Sequence, residues 1–207
     1  MTMTPDAVPS TALDEETARS ELYGLLAQVY YAPPAPEFVA ELRLAATQAP
    51  TPGGLLEEPW RALVGVAREL SDAQIAAEFE ALFGGVGKPE VYLFGSYYLS
   101  GFLNEKPLAR LRSELARLGL QRAQAMSETE DHIAYLCEVM RYLIAGDDVA
   151  VANLTRQHSF FAEHLQPWVL QLCDALQQHP KARFYAAVAE LTRAFISVEA
   201  QGFDMLV

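Results

Sequence analysis

Hydrophobic residues recur along most of the chain at the three- and four-residue spacing of amphipathic helices. In the first such segment Leu22, Leu26 and Val29 fall on one stripe, and a similar stripe begins at Phe184 in the last segment. Residues 91–94 have the composition of a strand, but no second strand is predicted to pair with them, so we expect a loop that enters a short helix. The pattern therefore predicts an all-α protein, a single bundle of about nine or ten helices.

Capping boxes mark the start of two of these predicted helices. In this motif a Ser side chain bonds to the backbone N–H three residues further on, and the Glu or Gln at that position reaches back to the Ser N–H. Ser71 with Gln74 predicts one helix start, and Ser127 with Glu130 predicts another, directly before the apolar positions 133–144. We therefore expect the second of these helices to begin within residues 127–130.

A connector at residues 119–128 divides the chain into two predicted parts. It contains few apolar residues beyond Leu120 and Met126. We expect an N-terminal helical part at 1–118, a hinge at 119–128 and a C-terminal helical part at 129–207, packed as one globular unit. Because the stripes of each part need the other part's surface, an identical chain could supply that surface. A monomer that also forms a minor domain-swapped dimer is therefore expected.

The composition of the 207 residues narrows the classes of protein. Hydrophobic residues make up 51% of the chain, which excludes an intrinsically disordered protein, and 27 acids against 15 bases give a net charge of −12. That balance argues against a nucleic acid partner, because phosphate binding needs clustered Lys and Arg. Neither a secretory signal nor a long uncharged apolar run is found, so we expect a cytoplasmic protein without stable membrane insertion.

Common catalytic and metal-binding signatures are missing from the sequence. There is no GxSxG, P-loop, GxGxxG or HExxH motif, and Cys137 and Cys173 lack the spacing of metal ligands. His158 and His164 are six residues apart, so they would point to different faces of one helix and make a poor metal pair. We therefore predict no metal site.

Residues 127–132, Ser-Glu-Thr-Glu-Asp-His, are the one cluster of polar residues that suggests a function. One interpretation is structural: acids at a helix N-terminus complement the helix dipole, and His132 bonds to a neighbour. The other is functional: Glu128, Asp131 and His132 face a groove and recognise a cationic ligand. Periodicity does not decide between these two interpretations.

Three stretches of the sequence give it a recognisable resemblance. They are residues 92–103 continued by 107–120, residues 128–133 with Met140, and Phe161, His164, Leu165 and Trp168 continued by residues 184–195. In their order and spacing, these stretches resemble the TorD/DmsD/NarJ superfamily of cytoplasmic chaperones for molybdenum-containing redox enzymes. The likeness covers about residues 92–199, whereas residues 1–90 match only as a helical region.

The resemblance implies an all-helical fold, no catalytic activity and no cofactor. Members of the superfamily bind the twin-arginine leader or another part of an apo-molybdoenzyme and hold it back from export until the cofactor is inserted. The expected partner is thus an apo-molybdoenzyme catalytic subunit or its twin-arginine leader. Residues 95–99 with 106–108 look closest to members associated with formate dehydrogenases, so the expected client is a formate dehydrogenase or a DMSO reductase-family enzyme.

Five residues are carried over from the resemblance as candidates for partner and signal-peptide binding. Asp131 and His132 are the main candidates, with Glu128, Tyr97 and Ser96 beside them. A twin-arginine leader has two guanidinium groups and an apolar segment, which carboxylates beside an aromatic groove would match.

Two alternative functions stay open at this point. One is a helical protein–protein adaptor unrelated to molybdoenzymes, which would use its exposed aromatic residues for another partner. The other is a nucleotide-binding protein, although nothing in the sequence resembles a phosphate cradle.

Overall fold

The computed structural model describes residues 10–47, 54–84, 87–122 and 127–205, which form ten helices and no β-strand. The helices are α1 (Ser10–Tyr31), α2 (Pro36–Leu44), α3 (Glu57–Glu69), α4 (Asp72–Phe83), α5 (Gly95–Ser100), α6 (Lys106–Arg117), α7 (Ile133–Ala145), α8 (Leu154–His164), α9 (Val169–Gln177) and α10 (Phe184–Asp204). The prediction of an all-α bundle of nine or ten helices is confirmed. No helix in these ranges is long and apolar enough to cross a membrane.

The core lies around α7 and α10, which pack against helices from both halves of the chain. α1 runs along α7, and α10 contacts α9, α3 and α4. Tyr23 of α1 and Phe195 of α10 are both fully enclosed, with an edge-to-face contact of 4.7 Å between ring centroids. Burying one such side chain contributes about 1.5–3 kcal/mol to the free energy of unfolding.

A buried ion pair between Arg19 and Glu199 connects α1 and α10 within this core. Arg19 donates two hydrogen bonds to the Glu199 carboxylate, at 2.7 and 2.9 Å, and the Tyr23 hydroxyl donates a third at 2.9 Å. Glu199 is only 4% exposed. Since a buried carboxylate is costly unless it is paired and hydrogen-bonded, this network fixes the register between the two helices.

One of the two predicted capping boxes is present. Ser71 accepts a hydrogen bond from the Gln74 N–H, and the Gln74 side chain accepts one from the Ser71 N–H. The box opens α4 as predicted.

The prediction of a second capping box, formed by Ser127 and Glu130, is wrong. α7 begins at Ile133, and its N-cap is His132, whose Nδ1 accepts the N–H two residues further on at 3.2 Å. The Glu130 carboxylate is instead bonded to Arg112 of α6, at 2.9 and 3.0 Å. The carboxylate that a capping box would need is thus bound by Arg112, which lies 18 residues earlier in the chain.

Residues 91–94 are a loop that leads into the short helix α5, as predicted, but the expectation that they lack a pairing partner is wrong at one position. Phe94 forms an isolated antiparallel bridge with His132, with backbone hydrogen bonds of 2.9 Å on both sides. This bridge holds the residues before α7 extended and places them directly beside α5.

The predicted hinge at 119–128 is described in part. Residues 123–126 lie outside the described residues. Before them, just after the end of α6, the Leu120 N–H donates a hydrogen bond to the Leu115 carbonyl at 2.8 Å. The division into parts 1–118, 119–128 and 129–207 stays a prediction.

Candidate functional site

The five candidate residues lie together where α5 meets the start of α7. Ser96, Asp131 and His132 are buried, with exposures of 0%, 3% and 4%. Tyr97 and Glu128 are half-buried at the surface of the same region. The fold therefore brings the α5 and α7 ends of this candidate set together through Ser96 and Asp131, and only Tyr97 and Glu128 have surface that a partner could touch directly.

Asp131 is held by hydrogen bonds at both carboxylate oxygens. One oxygen accepts the Ser96 N–H at 2.8 Å, and the other accepts the Thr129 hydroxyl at 2.7 Å. An ionised carboxylate has about four lone-pair positions, so further donors can still bind to it. Asp131 thus caps α5, which is not the helix that the sequence motif indicated, and keeps capacity for a ligand.

His132 is an uncharged capping residue. Burial lowers the pKa of His132 to about 4, although the nearby charge of Asp131 acts in the opposite direction. Its Nδ1 is an acceptor at the N-terminus of α7, and the edge of the Phe94 ring lies against it with centroids 5.0 Å apart. At neutral pH the imidazole is neutral and shapes the site without supplying charge.

Two pairs of stacked aromatic rings, which include Tyr97 and Tyr98 of α5, form a wall beside the candidate residues. Tyr97 stacks on Tyr92 with centroids 4.0 Å apart, and Tyr98 stacks on Trp168 at 5.4 Å. Gly95 sits against the Trp168 ring so closely that a Cβ there would lie 3.0 Å from its Nε1. A larger residue at position 95 would therefore require the Trp168 ring to shift by a few tenths of an ångström.

A polar cavity of about 220 Å³ opens beside this wall, between α5, α6, α7 and the end of α8. Ser96 and Asp131 line it, together with His164 from α8. The Ser96 Oγ and the His164 Nε2 are buried and have no hydrogen-bond partner among the described residues. Native proteins rarely leave such atoms unpaired, so these two are exceptions among the buried polar groups of this region.

Sequence reasoning missed His164 as a site residue, because it rejected this residue as a metal ligand and otherwise quoted it only among the residues that carry the resemblance. His164 is 7% exposed, packs with Phe160 at 4.9 Å between ring centroids, and burial lowers its pKa. A signal was available, since a lone histidine on the buried face of an aromatic-rich helix needs a polar partner. Among the described residues, no group of histidines, cysteines and acids is arranged to hold a metal ion.

A larger apolar groove of about 710 Å³ lies between α1 and α7, near the end of α6. Its edges carry Tyr31, which is 46% exposed, and Tyr142, which is 39% exposed. Two acids at its border are already paired, Glu130 with Arg112 and Glu138 with Arg141. The groove therefore presents an apolar surface with compensated charges, which suits an uncharged apolar segment.

The two recesses are separated by a single short segment of chain. Glu130 lines the apolar groove and the next residue, Asp131, lines the polar cavity. Leu99, which also lines the cavity, and Phe102 and Leu103, which follow it along the chain, are exposed apolar side chains. A ligand that crosses residues 130–131 would meet apolar surface and buried polar groups within a few residues.

The comparisons with known proteins identify the family. The family model "Nitrate reductase delta subunit" matches residues 53–174, more than half of the chain, and the chain belongs to that family. Similar curated proteins are named chaperone protein TorD. The one from Vibrio cholerae serotype O1 is 25% identical over 205 residues, covering 91% of this chain and 93% of its own length. The one from Aliivibrio fischeri is 29% identical over 140 residues, 64% of this chain and 65% of its own.

These matches confirm the resemblance to the TorD/DmsD/NarJ superfamily that the sequence suggested. The chain is a molybdoenzyme maturation chaperone, and since the relatives are named chaperones, the prediction of a protein that is not an enzyme is confirmed. Chaperones of this family bind their molybdoenzyme partner. An unrelated adaptor or a nucleotide-binding protein is not favoured.

Proposed function

We propose that this chaperone binds the twin-arginine leader of an apo-molybdoenzyme catalytic subunit across the apolar groove and the polar cavity. Binding in the cytoplasm would keep the client from export until its cofactor is inserted. One observation supports this proposal most directly: the consecutive residues Glu130 and Asp131 line recesses of different character, the first largely apolar and the second lined by both apolar and charged side chains. A leader has the same two parts in succession, a cationic pair and an apolar segment.

The apolar segment of the leader fits the groove between α1 and α7. The volume of about 710 Å³ is in the range of sites that hold ligands and short apolar segments. Tyr31 and Tyr142 at the edges offer rigid, amphipathic contact area at a small entropic cost. A helical segment would pack its apolar face between α1 and α7 in the helix-in-groove mode.

The cationic part of the leader fits the segment 128–132 and the cavity beside it. Glu128 and Tyr97 are accessible there, and Asp131 provides a buried carboxylate with unused lone pairs. Ser96 and His132 hold the surrounding backbone in place. The net charge of −12 attracts a cationic ligand from a distance and raises its rate of association.

Titration calorimetry against the leaders of the host's molybdoenzymes tests this function. The expected dissociation constant is micromolar or lower, and it should rise with salt because acids meet arginines. Exchange of Tyr31 and Tyr142 for Ser should weaken binding at least tenfold. Leu44→Ala is the matched control, since Leu44 is 85% exposed on α2 and lines neither recess.

Three results would contradict the proposal in different ways. Absence of binding to every leader and apo-subunit would refute leader recognition. Equal losses of affinity in the tyrosine variant and in Leu44→Ala would remove the groove as the binding surface. A client that proves to be neither a formate dehydrogenase nor a DMSO reductase-family enzyme would correct only the expected partner.

The oligomeric state is part of the same proposal. We expect a monomer with a minor, slowly exchanging domain-swapped dimer, since α7 and α10 of the C-terminal part pack on helices of the N-terminal part that a second copy also has. Size-exclusion chromatography with light scattering should show more dimer after mild acid treatment at high concentration. A single monomer peak under every condition, or an obligate dimer, would contradict the hinge at 119–128.

A further inference from the structure

We propose that the exposed side of α6 and the loop before it bind an amphipathic helix of a partner protein, one that carries acidic side chains beside its apolar residues. This side of the helix, the α6 face, consists of Lys106, Ala109, Arg110, Ser113 and Arg117. It is separate from the groove between α1 and α7, and the inference does not depend on leader binding.

The α6 face is basic, although the chain as a whole has a net charge of −12. Its members are three or four residues apart, so they share one side of the helix, and they line a shallow recess of about 480 Å³ together with Glu163 of α8. Lys106 and Arg110 have no ion-pair partner among the described residues. Arg117 pairs with Glu114 of its own helix, and most of its side chain stays exposed. The face therefore presents three bases to a ligand and only one acid.

The shape of the α6 face suits a helix that lies along it. Ala109 and Ser113 place short side chains between the bases, so a second helix can come close to the backbone of α6. The 12 residues of α6 extend about 18 Å, which is the length of about three helical turns. A partner helix of that length could meet all three bases.

Apolar side chains extend this surface just before α6. Phe102 is 70% exposed, Leu103 is exposed next to it, and Leu99 is exposed near the end of α5. Three large apolar side chains are thus exposed within residues 99–103. Such clusters on soluble proteins mark interaction sites, whereas isolated exposed apolar residues are ordinary. A ligand of the α6 face would therefore need apolar residues next to its acids.

The loop between α5 and α6, residues 101–105, has a defined backbone. Gly101 has a φ of +80° and Asn104 a φ of +61°, and both residue types tolerate this left-handed conformation. The Ser100 hydroxyl lies 2.7 Å from the Ser96 carbonyl oxygen and 3.1 Å from the carbonyl oxygen of Phe102. Phe102 is therefore presented by a defined turn next to the α6 face.

Charge decides which partner fits this surface. Bases next to exposed apolar residues attract acids next to apolar residues and repel a cationic leader. An anionic lipid surface has similar chemistry, but it would also face the acidic remainder of the protein, whose net charge of −12 repels it. A helix contacts only the α6 face, so an acidic amphipathic helix is the better match.

The α6 face and the groove between α1 and α7 lie on different sides of α6. Leu115, which lines the groove, follows Lys106 by nine residues, a rotation of about 180° around the helix axis. An apolar segment in the groove and an acidic helix on the α6 face could thus be bound at the same time. Arg110 and Glu163 also line the polar cavity, so variants that separate the two surfaces must leave both unchanged.

Three synthetic peptides test the chemistry of the partner. The first is an amphipathic helix of about 18 residues with Leu on one face and Glu beside it, a length at which an isolated helix can form. The second replaces every Glu by Lys, and the third replaces every Leu by Ser. In fluorescence anisotropy the wild-type protein should bind the first peptide at least about tenfold more tightly than either of the others, and less tightly as the salt concentration rises.

Charge variants locate the binding surface on α6. Lys106→Glu with Ser113→Glu should weaken binding of the acidic peptide about tenfold, because both substitutions place acids on the α6 face. Lys88→Glu with Thr155→Glu is the matched control, since it makes the same change in charge at two exposed positions that line neither this face nor the recesses. The control should bind the peptide as the wild type does.

Apolar variants test the loop in the same way. Phe102→Ser with Leu103→Ser should weaken binding of the acidic peptide about tenfold, whereas Leu55→Ser with Val149→Ser, two exposed apolar positions elsewhere, should not. Thermal midpoints within a few degrees of wild type show that the variants fold. Equal binding of the Glu and Lys peptides, or equal losses in a variant and its control, would overturn the inference.

Two further outcomes distinguish this inference from other accounts. Sedimentation of the protein with phosphatidylglycerol vesicles, lost in Phe102→Ser with Leu103→Ser, would assign the surface to a membrane and overturn the inference, as would displacement of the acidic peptide by a leader. If a leader binds and the acidic peptide does not, the inference fails and the proposed function stands. If the acidic peptide binds as described and no leader does, the inference stands and the proposed function fails.

Discussion

The buried cap His132 predicts a specific loss of stability in mild acid. Burial lowers the pKa of His132 from an ordinary value of 6.5 to about 4 in the folded protein. Above about pH 6.5 the imidazole is neutral in both the folded and the unfolded chain. Between these two pKa values the unfolded chain takes up a proton that the folded chain refuses, so the free energy of unfolding falls as the pH falls.

The pKa of about 4 sets the magnitude of this loss. Each tenfold difference in proton affinity corresponds to about 1.4 kcal/mol, so the full contribution of His132 is about 3 kcal/mol. This contribution to the free energy of unfolding is fully present above about pH 6.5, the pKa of histidine in the unfolded chain. It decreases as the pH drops towards about 4, the pKa in the folded protein, and is lost below that pH. Such a loss is a large share of the 5–15 kcal/mol that typically separates folded and unfolded states.

The variant His132→Asn isolates this contribution. Asparagine is a preferred N-cap residue and can accept the same N–H of α7, but it does not titrate in this range. Urea unfolding followed by fluorescence of Trp60 and Trp168 should be measured for both proteins from about pH 7.5 to pH 4. The stability of the wild type relative to the variant should fall by about 3 kcal/mol over that range.

Titrating groups that do not interact with His132 cancel from this comparison, because they are present in both proteins. His164, whose pKa burial also lowers, contributes equally to the two curves. A difference in stability between wild type and variant that does not change with pH would contradict the lowered pKa of His132. It would show that His132 binds a proton equally well in the folded and the unfolded chain.

Two further predictions concern the capping motifs and the buried ion pair. Ser71→Ala should lower the free energy of unfolding by about 1 kcal/mol because it removes a capping box that is present, whereas Ser127→Ala should change it by less than about 0.5 kcal/mol, and urea unfolding compares the two. An equal loss would contradict the assigned start of α7. Glu199→Ala should lower the free energy of unfolding by about 3–5 kcal/mol, because it leaves the partly buried Arg19 without its carboxylate partner. A decrease below about 1 kcal/mol, or a melting temperature unchanged in calorimetry, would contradict a stabilising role of this ion pair.

Much of the fold could be predicted because it depends on local patterns. The apolar positions of α7 between 133 and 144 are buried as their spacing indicated, and the box at Ser71 depends only on residues within one helical turn. The box at Ser127 failed for a non-local reason, since Arg112 of α6 binds the carboxylate of Glu130. Local motifs predict helix ends only where no tertiary partner competes for the same side chain.

The recesses of the candidate site could not be derived from the sequence. The resemblance indicated Ser96 and Asp131 as candidates, but it did not indicate the cavity that they line together with His164. That cavity exists because the bridge between Phe94 and His132 joins two segments almost 40 residues apart. The apolar groove likewise requires α1 to lie along α7, which periodicity alone does not reveal.

Hydrogen exchange of the whole chain, with and without the leader of its molybdoenzyme, tests most directly whether the leader crosses both recesses. Backbone amides of residues 96–103 and 127–132, together with the groove-facing turns of α1 and α7, should exchange more slowly when the leader is bound. The amides of α2, α3 and α4 should be unchanged. Protection confined to α2–α4, or a bound leader that slows exchange at neither recess, would contradict the account.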